Sequence, residues 1–154
     1  MRSHVHAIAV VGLLLVGCGV RQPQPGDSVL LPESATRQLV RSGFLKGGSL
    51  GGYWQPTDKE LSSLEAKIPS VANLRSERVI VGAQISEPAK NYRQYVAFTL
   101  NGHKTIYVHG FCVAPMKDWE SHLEVIFDGG TCVWSVLYDV DSQTFSHLTT
   151  NGMA

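Results

Sequence analysis

Cysteine and histidine are the residue types in this chain best suited to chemistry, and Cys112 and Cys132 are the first candidates. Such a pair can form a disulfide, hold a metal ion, or supply a nucleophile beside a histidine. Because the N-terminus resembles an export signal, the disulfide is favoured. Bridged Cα atoms lie within about 7 Å of each other. The bridge therefore predicts that the strand ending at Cys112 pairs antiparallel with the strand beginning at Cys132, and that residues 113–131 form an excursion.

A zinc site would have to draw on His103, His109, His122 or His147, and their spacings lack the close pairs typical of zinc ligands. His103 and His109 share the parity of one strand but would lie about 20 Å apart in extended chain. Exposed or hydrogen-bonded strand histidines are the favoured interpretation. The sequence predicts no metal site and no cofactor.

Hydrolytic chemistry has weak support from the residue pattern. No Gly-x-Ser-x-Gly turn is present, and Ser121 and His122 are adjacent in a strand-like run, which would point them to opposite faces. Carboxylate pairs can be drawn from six acids, but turns and strand edges account for them: Asp118, Glu120, Glu124, Asp128, Asp139 and Asp141. We predict no catalytic residue.

Tryptophan is the remaining candidate for binding. Trp134 shares a strand face with Val136 and is predicted to lie in the core. Trp119 lies in a polar, loop-like stretch, where it either faces a partner or covers the sheet. A disulfide across 113–131 would restrain the loop that carries Trp119, which favours it as a binding residue.

A helix is predicted where Thr57 and Glu60 form a capping box, in which each side chain bonds the backbone amide of the other. Leu61, Leu64 and Ile68 follow at helical spacing, and Pro69 ends or kinks the helix. A second, short helix is predicted over 34–41.

Strand-like runs follow Arg75. We predict strands at 78–86, 93–100, 104–112, 123–127 and 132–139, with a short one at 144–148. Asn101-Gly102 is the strongest hairpin signal, since both residues tolerate positive φ. The chain is predicted to be an α+β domain, with one N-terminal helix packed on a curved antiparallel sheet of about five strands, as in a cystatin-like or related roll.

The first residues resemble a bacterial lipoprotein signal peptide. Arg2 precedes an apolar run from Ala7 to Gly17, which is too short to cross a membrane. Leu15-Val16-Gly17-Cys18 resembles a lipobox, so cleavage before Cys18 and lipidation of its thiol are expected. The alternative is an ordinary signal peptide with a chance cysteine.

Three regions are predicted: the signal peptide at 1–17, a lipidated cysteine with a flexible tether at 18–52, and a globular domain at 53–154. The tether is indicated by three prolines in residues 19–33 and five glycines in residues 42–52. The glycines are not a phosphate loop, because no Gly-Lys-Ser/Thr follows them.

Composition limits the partners. Formal net charge is zero, which gives no basic surplus for nucleic acid. The membrane, reached through the lipid, and an envelope protein are the expected partners. An aspartate directly after the lipidated cysteine would resemble an inner-membrane retention signal. This chain has Gly19 at that position, which favours the outer membrane, with the domain facing the periplasm.

Several segments resemble a family of small uncharacterised bacterial envelope proteins: Tyr53-Trp54-Gln55-Pro56-Thr57, Tyr92-Arg93-Gln94-Tyr95-Val96, Ile106-Tyr107-Val108, Asp128-Gly129-Gly130-Thr131-Cys132 and Asn151-Gly152-Met153-Ala154. The resemblance covers about the last hundred residues. It implies a compact secreted domain and, since the family has no assigned activity, no catalytic residue.

Three functions are therefore open. The first is a non-catalytic envelope lipoprotein that binds another macromolecule. The second is an envelope hydrolase that uses a histidine and a carboxylate in a cleft. The third is a binder of small hydrophobic ligands inside the curve of the sheet.

Overall fold

A five-stranded mixed sheet forms the centre of the computed structural model, which describes residues 21–42 and 50–152. Strand order follows chain order, with β1 parallel to β2 and the other neighbours antiparallel. The strands are β1 (Ser28–Leu30), β2 (Tyr92–Leu100), β3 (His103–Phe111), β4 (Val133–Asp139) and β5 (Thr144–Thr150). Three predicted strands, at 93–100, 104–112 and 132–139, are confirmed to within a residue at each end, and the short strand at 144–148 extends to Thr150.

A helix packs on each face of the sheet. Helix α1 (Ser34–Ser42) buries Ala35 and Leu39 with the even-numbered side chains of β2. Helix α2 (Asp58–Lys67) buries Leu64 with the odd-numbered ones. We call these the α1 face and the α2 face. The α+β class is confirmed, but the arrangement with a single helix is wrong because the second helix covers the opposite side.

The N-terminal segment is part of the folded domain. Ser28 pairs with Arg93 at the start of β2, and Leu31 is fully buried. The tether predicted over 18–52 therefore does not extend over residues 28–42, and the domain begins before residue 53. The short helix predicted over 34–41 is confirmed as α1. Cys18 and the signal segment lie outside the described residues.

Strand β2 shows why its sequence reads as an almost continuous apolar run. Residues 92–98 are buried, because helices and loops cover both faces. Val96 and Phe98 point to the α1 face, and Tyr95 and Ala97 point to the α2 face. Trp134 of β4 lies in the α2-face core, as predicted.

The capping box at the start of α2 is confirmed. The Thr57 hydroxyl accepts a hydrogen bond from the Glu60 backbone amide at 3.2 Å, and the Glu60 carboxylate accepts one from the Thr57 amide at 2.8 Å. The bond from the Thr57 amide is the main cause that lowers the pKa of the Glu60 carboxyl group, and the Thr57 hydroxyl and Lys104 lower it further. Pro69 ends the α-helix, and the chain continues as a 3-10 helix, Ile68–Asn73.

The hairpin between β2 and β3 is also confirmed. Leu100 pairs with His103, which leaves a two-residue turn. Asn101 has φ 51° and Gly102 has φ 83°, both in the left-handed region. The local sequence therefore sets the register of the two central strands.

Two predicted strands are wrong. Residues 78–86 are not a strand: 79–82 form a bend and a turn, in which Val79 (φ 67°) and Gly82 (φ 80°) leave the extended region, and Arg78 alone makes a bridge, to Thr149. Residues 123–127 are an irregular segment in the excursion. They do not form a strand between β3 and β4, because those two strands pair directly with each other. Leu123 and Glu124 donate their amides to glutamine side chains instead of to a strand ladder.

Candidate functional site

The disulfide between Cys112 and Cys132 joins the end of β3 to the start of β4. Their Cα atoms lie 5.2 Å apart, and the Cys112 amide donates to the Cys132 carbonyl at 3.1 Å. Phe111 and Val133 are direct antiparallel partners beside the bridge. The predicted bond and strand order are confirmed, and residues 113–131 form the expected excursion.

The excursion folds back over the α1 face, and this placement buries Trp119. The side chain is 5 % exposed and packs edge-on against Tyr92, with ring centroids 6.2 Å apart. It belongs to a core cluster with Phe111 and Val133. A partner-facing Trp119 is therefore wrong, and the alternative, in which it covers the sheet, is what the structure has.

Gln94 fastens the excursion to the sheet. Its side-chain amide donates to the carbonyls of Trp119 at 2.6 Å and His122 at 2.7 Å. Its carbonyl oxygen accepts from the Glu124 amide at 2.8 Å. Gln94 is fully buried, so these bonds replace those it would make to water. Sequence reasoning missed this residue, although a lone glutamine in an apolar strand was an available signal.

His109 lies opposite Gln94 in the register of β2 and β3. Burial lowers the pKa of His109 to about 4, although hydrogen bonds to the backbone of Trp134 and Glu124 favour the protonated form. The ring lies between the rings of Tyr107 and Phe111 on the same strand face, 6.3 and 5.4 Å away. A buried imidazole with this pKa is a poor general base near neutral pH, so His109 is a core residue.

Glu124 is a buried acid, 3 % exposed, whose backbone bonds Gln94. Burial raises the pKa of its carboxyl group, and nearby Asp118 raises it further. The carboxylate accepts a hydrogen bond from the Met116 amide at 2.7 Å, which works in the opposite direction. This bond closes the first half of the excursion onto the second.

On the α2 face, Arg93 forms a second buried polar group. Its guanidinium, 4 % exposed, donates to the Glu65 carboxylate at 3.0 Å and to the carbonyls of Gly26 and Asn91 at 2.7 Å. Tyr95 donates to the same carboxylate at 2.6 Å. Because every group has a partner, this network is structural, and it attaches the N-terminal segment to α2 and β2.

Ser121, His122 and Asp118 form a local cluster that resembles a catalytic triad in composition only. Ser121 Oγ and Asp118 Oδ2 lie 3.0 and 3.1 Å from the same ring nitrogen, His122 Nδ1. A triad needs the serine and the acid on opposite nitrogens of the ring. The Ser121 and His122 side chains meet because this segment is a turn and not the strand-like run that the sequence indicates. The cluster is an exposed turn without the geometry for nucleophilic attack.

His103 and His147 line one open groove of about 170 Å³ together with Asp139. The Asp139 carboxylate accepts hydrogen bonds from the Ser142 amide and hydroxyl, and the amide bond is the first cause of its lowered pKa. His147 pairs instead with Glu77, at 3.0 Å. Across residues 21–42 and 50–152, no three His, Cys, Asp or Glu side chains are grouped closely enough to hold a metal ion.

Comparisons with family models, curated proteins and solved structures find no match to this chain. Its function must be inferred from its own residues. The resemblance to small bacterial envelope proteins stays a prediction.

Proposed function

We propose that this chain is an exported bacterial lipoprotein, cleaved before Cys18 and anchored by lipid on that residue. Its folded domain then acts as a non-catalytic binding or accessory protein of the cell envelope. Gly19 after the lipidated cysteine favours the outer membrane, with the domain facing the periplasm.

The observation that carries the proposal is the disulfide between Cys112 and Cys132. Disulfides persist in the periplasm and other oxidising compartments, whereas cytosolic thiols are kept reduced. With these two cysteines bonded, Cys18 is the one cysteine left for another role. An apolar N-terminal run that ends at this cysteine supports export and lipidation together. The described residues contain no helix that is both long and apolar enough to span a membrane.

The hydrogen-bond partners and the exposure of the polar side chains support a binding role over catalysis. Gln94 and Arg93 use their hydrogen-bonding groups to hold segments of the fold together. The histidine–carboxylate contacts, His122 with Asp118 and His147 with Glu77, have all four side chains more than half exposed. A hydrolase would need such a pair inside a cleft that excludes water.

Ligand binding inside the sheet has less support than binding at the surface. Helix α2 fills one face with Leu64, and α1 and the excursion fill the other with Leu39 and Leu123. The grooves that described residues line are open, such as the one of about 520 Å³ between β1 and α2. The antiparallel strands β2–β5 packed on α2 still support a cystatin-like roll as a proposal for the fold family.

The test of the anchor is Cys18→Ala in the full chain, expressed in cells. The parent should be cleaved before Cys18 and gain the mass of a lipid on that residue, whereas the variant should gain no lipid mass. The double variant Cys112→Ser/Cys132→Ser is the matched control, because it removes two cysteines and should keep the lipid. An unlipidated mature parent would refute the proposal.

The binding role is tested separately, by crosslinking in intact cells followed by mass spectrometry. We expect one envelope protein to be recovered with the parent and with Asp118→Asn, but not with a chain that lacks the domain. Hydrolase activity on envelope polymers that is lost in Asp118→Asn would instead support catalysis.

A further inference from the structure

Four exposed apolar side chains lie on two neighbouring segments of the chain. Phe127 is 82 % exposed and Val81 is 76 % exposed, and Val79 and Val125 are each at least half exposed. Single exposed apolar residues are normal on protein surfaces, whereas a group of them marks a contact surface. We call these four residues the Phe127 patch.

The two segments are held side by side by the last described residues. The Gly130 amide donates to the Gly152 carbonyl at 2.8 Å, and the Asn151 side chain donates to the Ile126 carbonyl. On the other side, the Ile80 amide donates to the Thr150 hydroxyl at 3.3 Å. The Phe127 patch is therefore built on ordered backbone.

This patch lies at the same end of the strands as the start of the domain, beside β5, which is the outer strand opposite β1. The β1 residue Ser28 pairs with Arg93 near the start of β2, and Tyr92 pairs with Phe111 at the end of β3. Phe111 pairs with Val133 at the start of β4, and the next residue, Trp134, pairs with Thr150 at the end of β5. The end of the strands at which the N-terminal segment enters the sheet is therefore also the end beside which the excursion and the 78–82 turn lie.

The chain between Cys18 and this edge is short. Arg21 is the third residue after Cys18, and Ser28 is the tenth. A residue spans at most about 3.5 Å, so Cys18 lies within about 10 Å of Arg21 and about 35 Å of Ser28, whatever its conformation. Lipid on Cys18 would therefore keep this end of the strands near the membrane surface.

The 78–82 turn has the features of a segment that meets a membrane interface. Val79 is β-branched yet has φ 67°, a strained conformation that occurs mainly where the surroundings impose it. The exposed Arg75 and Arg78 both precede Val79, and Glu77 between them is paired with His147 at 3.0 Å. Apolar side chains beside cations favour anionic lipid surfaces. Asp128, next to Phe127, opposes this attraction on the other segment.

We infer that the Phe127 patch inserts into the surface of the membrane that holds the Cys18 lipid. The inference rests on the proposed lipoprotein anchor. Lipid and patch together give two points of attachment, so the domain takes one orientation. The end of the sheet at which β2 starts faces the membrane. The Asn101-Gly102 hairpin, at the other end of β2, points away from it.

The orientation is tested with the lipidated full-length mature protein in vesicles of phosphatidylethanolamine and phosphatidylglycerol that contain a brominated lipid. Phe127→Trp places a reporter in the patch. Leu50→Trp is the matched control. Leu50 is also an exposed apolar residue, but it bridges Leu100 at the opposite end of the strands. We expect quenching of the added tryptophan in Phe127→Trp and none in Leu50→Trp. Equal quenching of both, or of neither, would overturn the inference.

Affinity without the lipid is measured on the Cys18→Ala mature chain, by flotation with the same vesicles. Val81→Ser/Phe127→Ser should lower the partition coefficient of the protein between water and vesicles about tenfold or more, and Leu50→Ser should leave this coefficient unchanged. An unchanged coefficient in the patch variant would overturn the inference. A parent that self-associates through the patch and does not bind vesicles would overturn it too. Near-parental thermal midpoints check that the variants are folded.

The two proposals fail in different ways. If Cys18 carries no lipid in cells, the anchor proposal fails, while flotation still reports on the patch. If the protein is lipidated and Phe127→Trp is not quenched, the anchor stands and the patch inference alone is wrong.

Discussion

Gly110 of β3 lies directly beneath the indole ring of Trp134, its register partner on β4. The indole nitrogen donates to the Asn91 side chain at 2.8 Å, which holds the ring in place. A Cβ atom at residue 110 would overlap the ring. Glycine in the interior of a strand is usually unfavourable, and here the close approach of a large side chain requires it.

We therefore predict that Gly110→Ala destabilises the domain by about 1–3 kcal/mol through overpacking. Gly52→Ala is the control, because a Cβ there meets no atom within 4 Å. Urea unfolding followed by tryptophan fluorescence gives the free energy of unfolding. A Gly110→Ala value equal to that of the control would contradict the account of this contact.

The disulfide should contribute strongly to stability. It closes a loop with a sequence separation of 20 residues, for which loop-closure entropy predicts about 3 kcal/mol. Cys112→Ser/Cys132→Ser should lower the free energy of unfolding by about this amount. In a Cys18→Ala background, alkylation without reductant should label no thiol, and alkylation after reduction and unfolding should label both. Labelling of both thiols without reductant would show that the bond is absent.

Gly102 should tolerate β-branched residues poorly for reasons of backbone conformation alone. Its φ is 83°, and a Cβ there meets no atom within 4 Å. We expect Gly102→Val to destabilise by about 1 kcal/mol or more. Gly52→Val is the comparison, since that glycine has equal space and no positive φ. Thermal midpoints that fall equally in the two variants would mean that conformation is not the cause.

Stability should fall in acid partly because of His109. Its pKa in the folded protein is about 4, against 6.5 for the model imidazole, and burial is the main cause. Above pH 6.5 both states hold the neutral ring, so its contribution is fully present. As the pH falls from 6.5 through 4, the unfolded chain binds the proton first, and about 3 kcal/mol is lost.

The measurement is the free energy of unfolding between pH 7 and pH 4 for the parent and for His109→Gln. The variant should show a shallower decline with falling pH. Glu124 is present in both proteins, and its raised pKa acts with the opposite sign, since that contribution is lost as pH rises. Parallel curves would show that His109 does not titrate as described.

Features that depend on neighbouring residues or on a covalent bond were determined by the sequence. The box at Thr57 and Glu60 and the turn at Asn101-Gly102 need residues that are at most three apart. The Cys112–Cys132 bond adds a distance limit, and from that limit alone the pairing of β3 with β4 follows.

Only the tertiary structure decided which side chains of the irregular segments are buried. Trp119 lies in a loop without hydrophobic periodicity. Its ring is buried against Tyr92 and Phe111, and Gln94, 25 residues earlier, binds its carbonyl. Likewise, Arg93 draws in the Gly26 carbonyl across 67 residues, which places β1 in the sheet instead of in a tether. Contacts between residues this far apart in sequence have no local pattern, because their free energy appears only when the sheet brings the partners together.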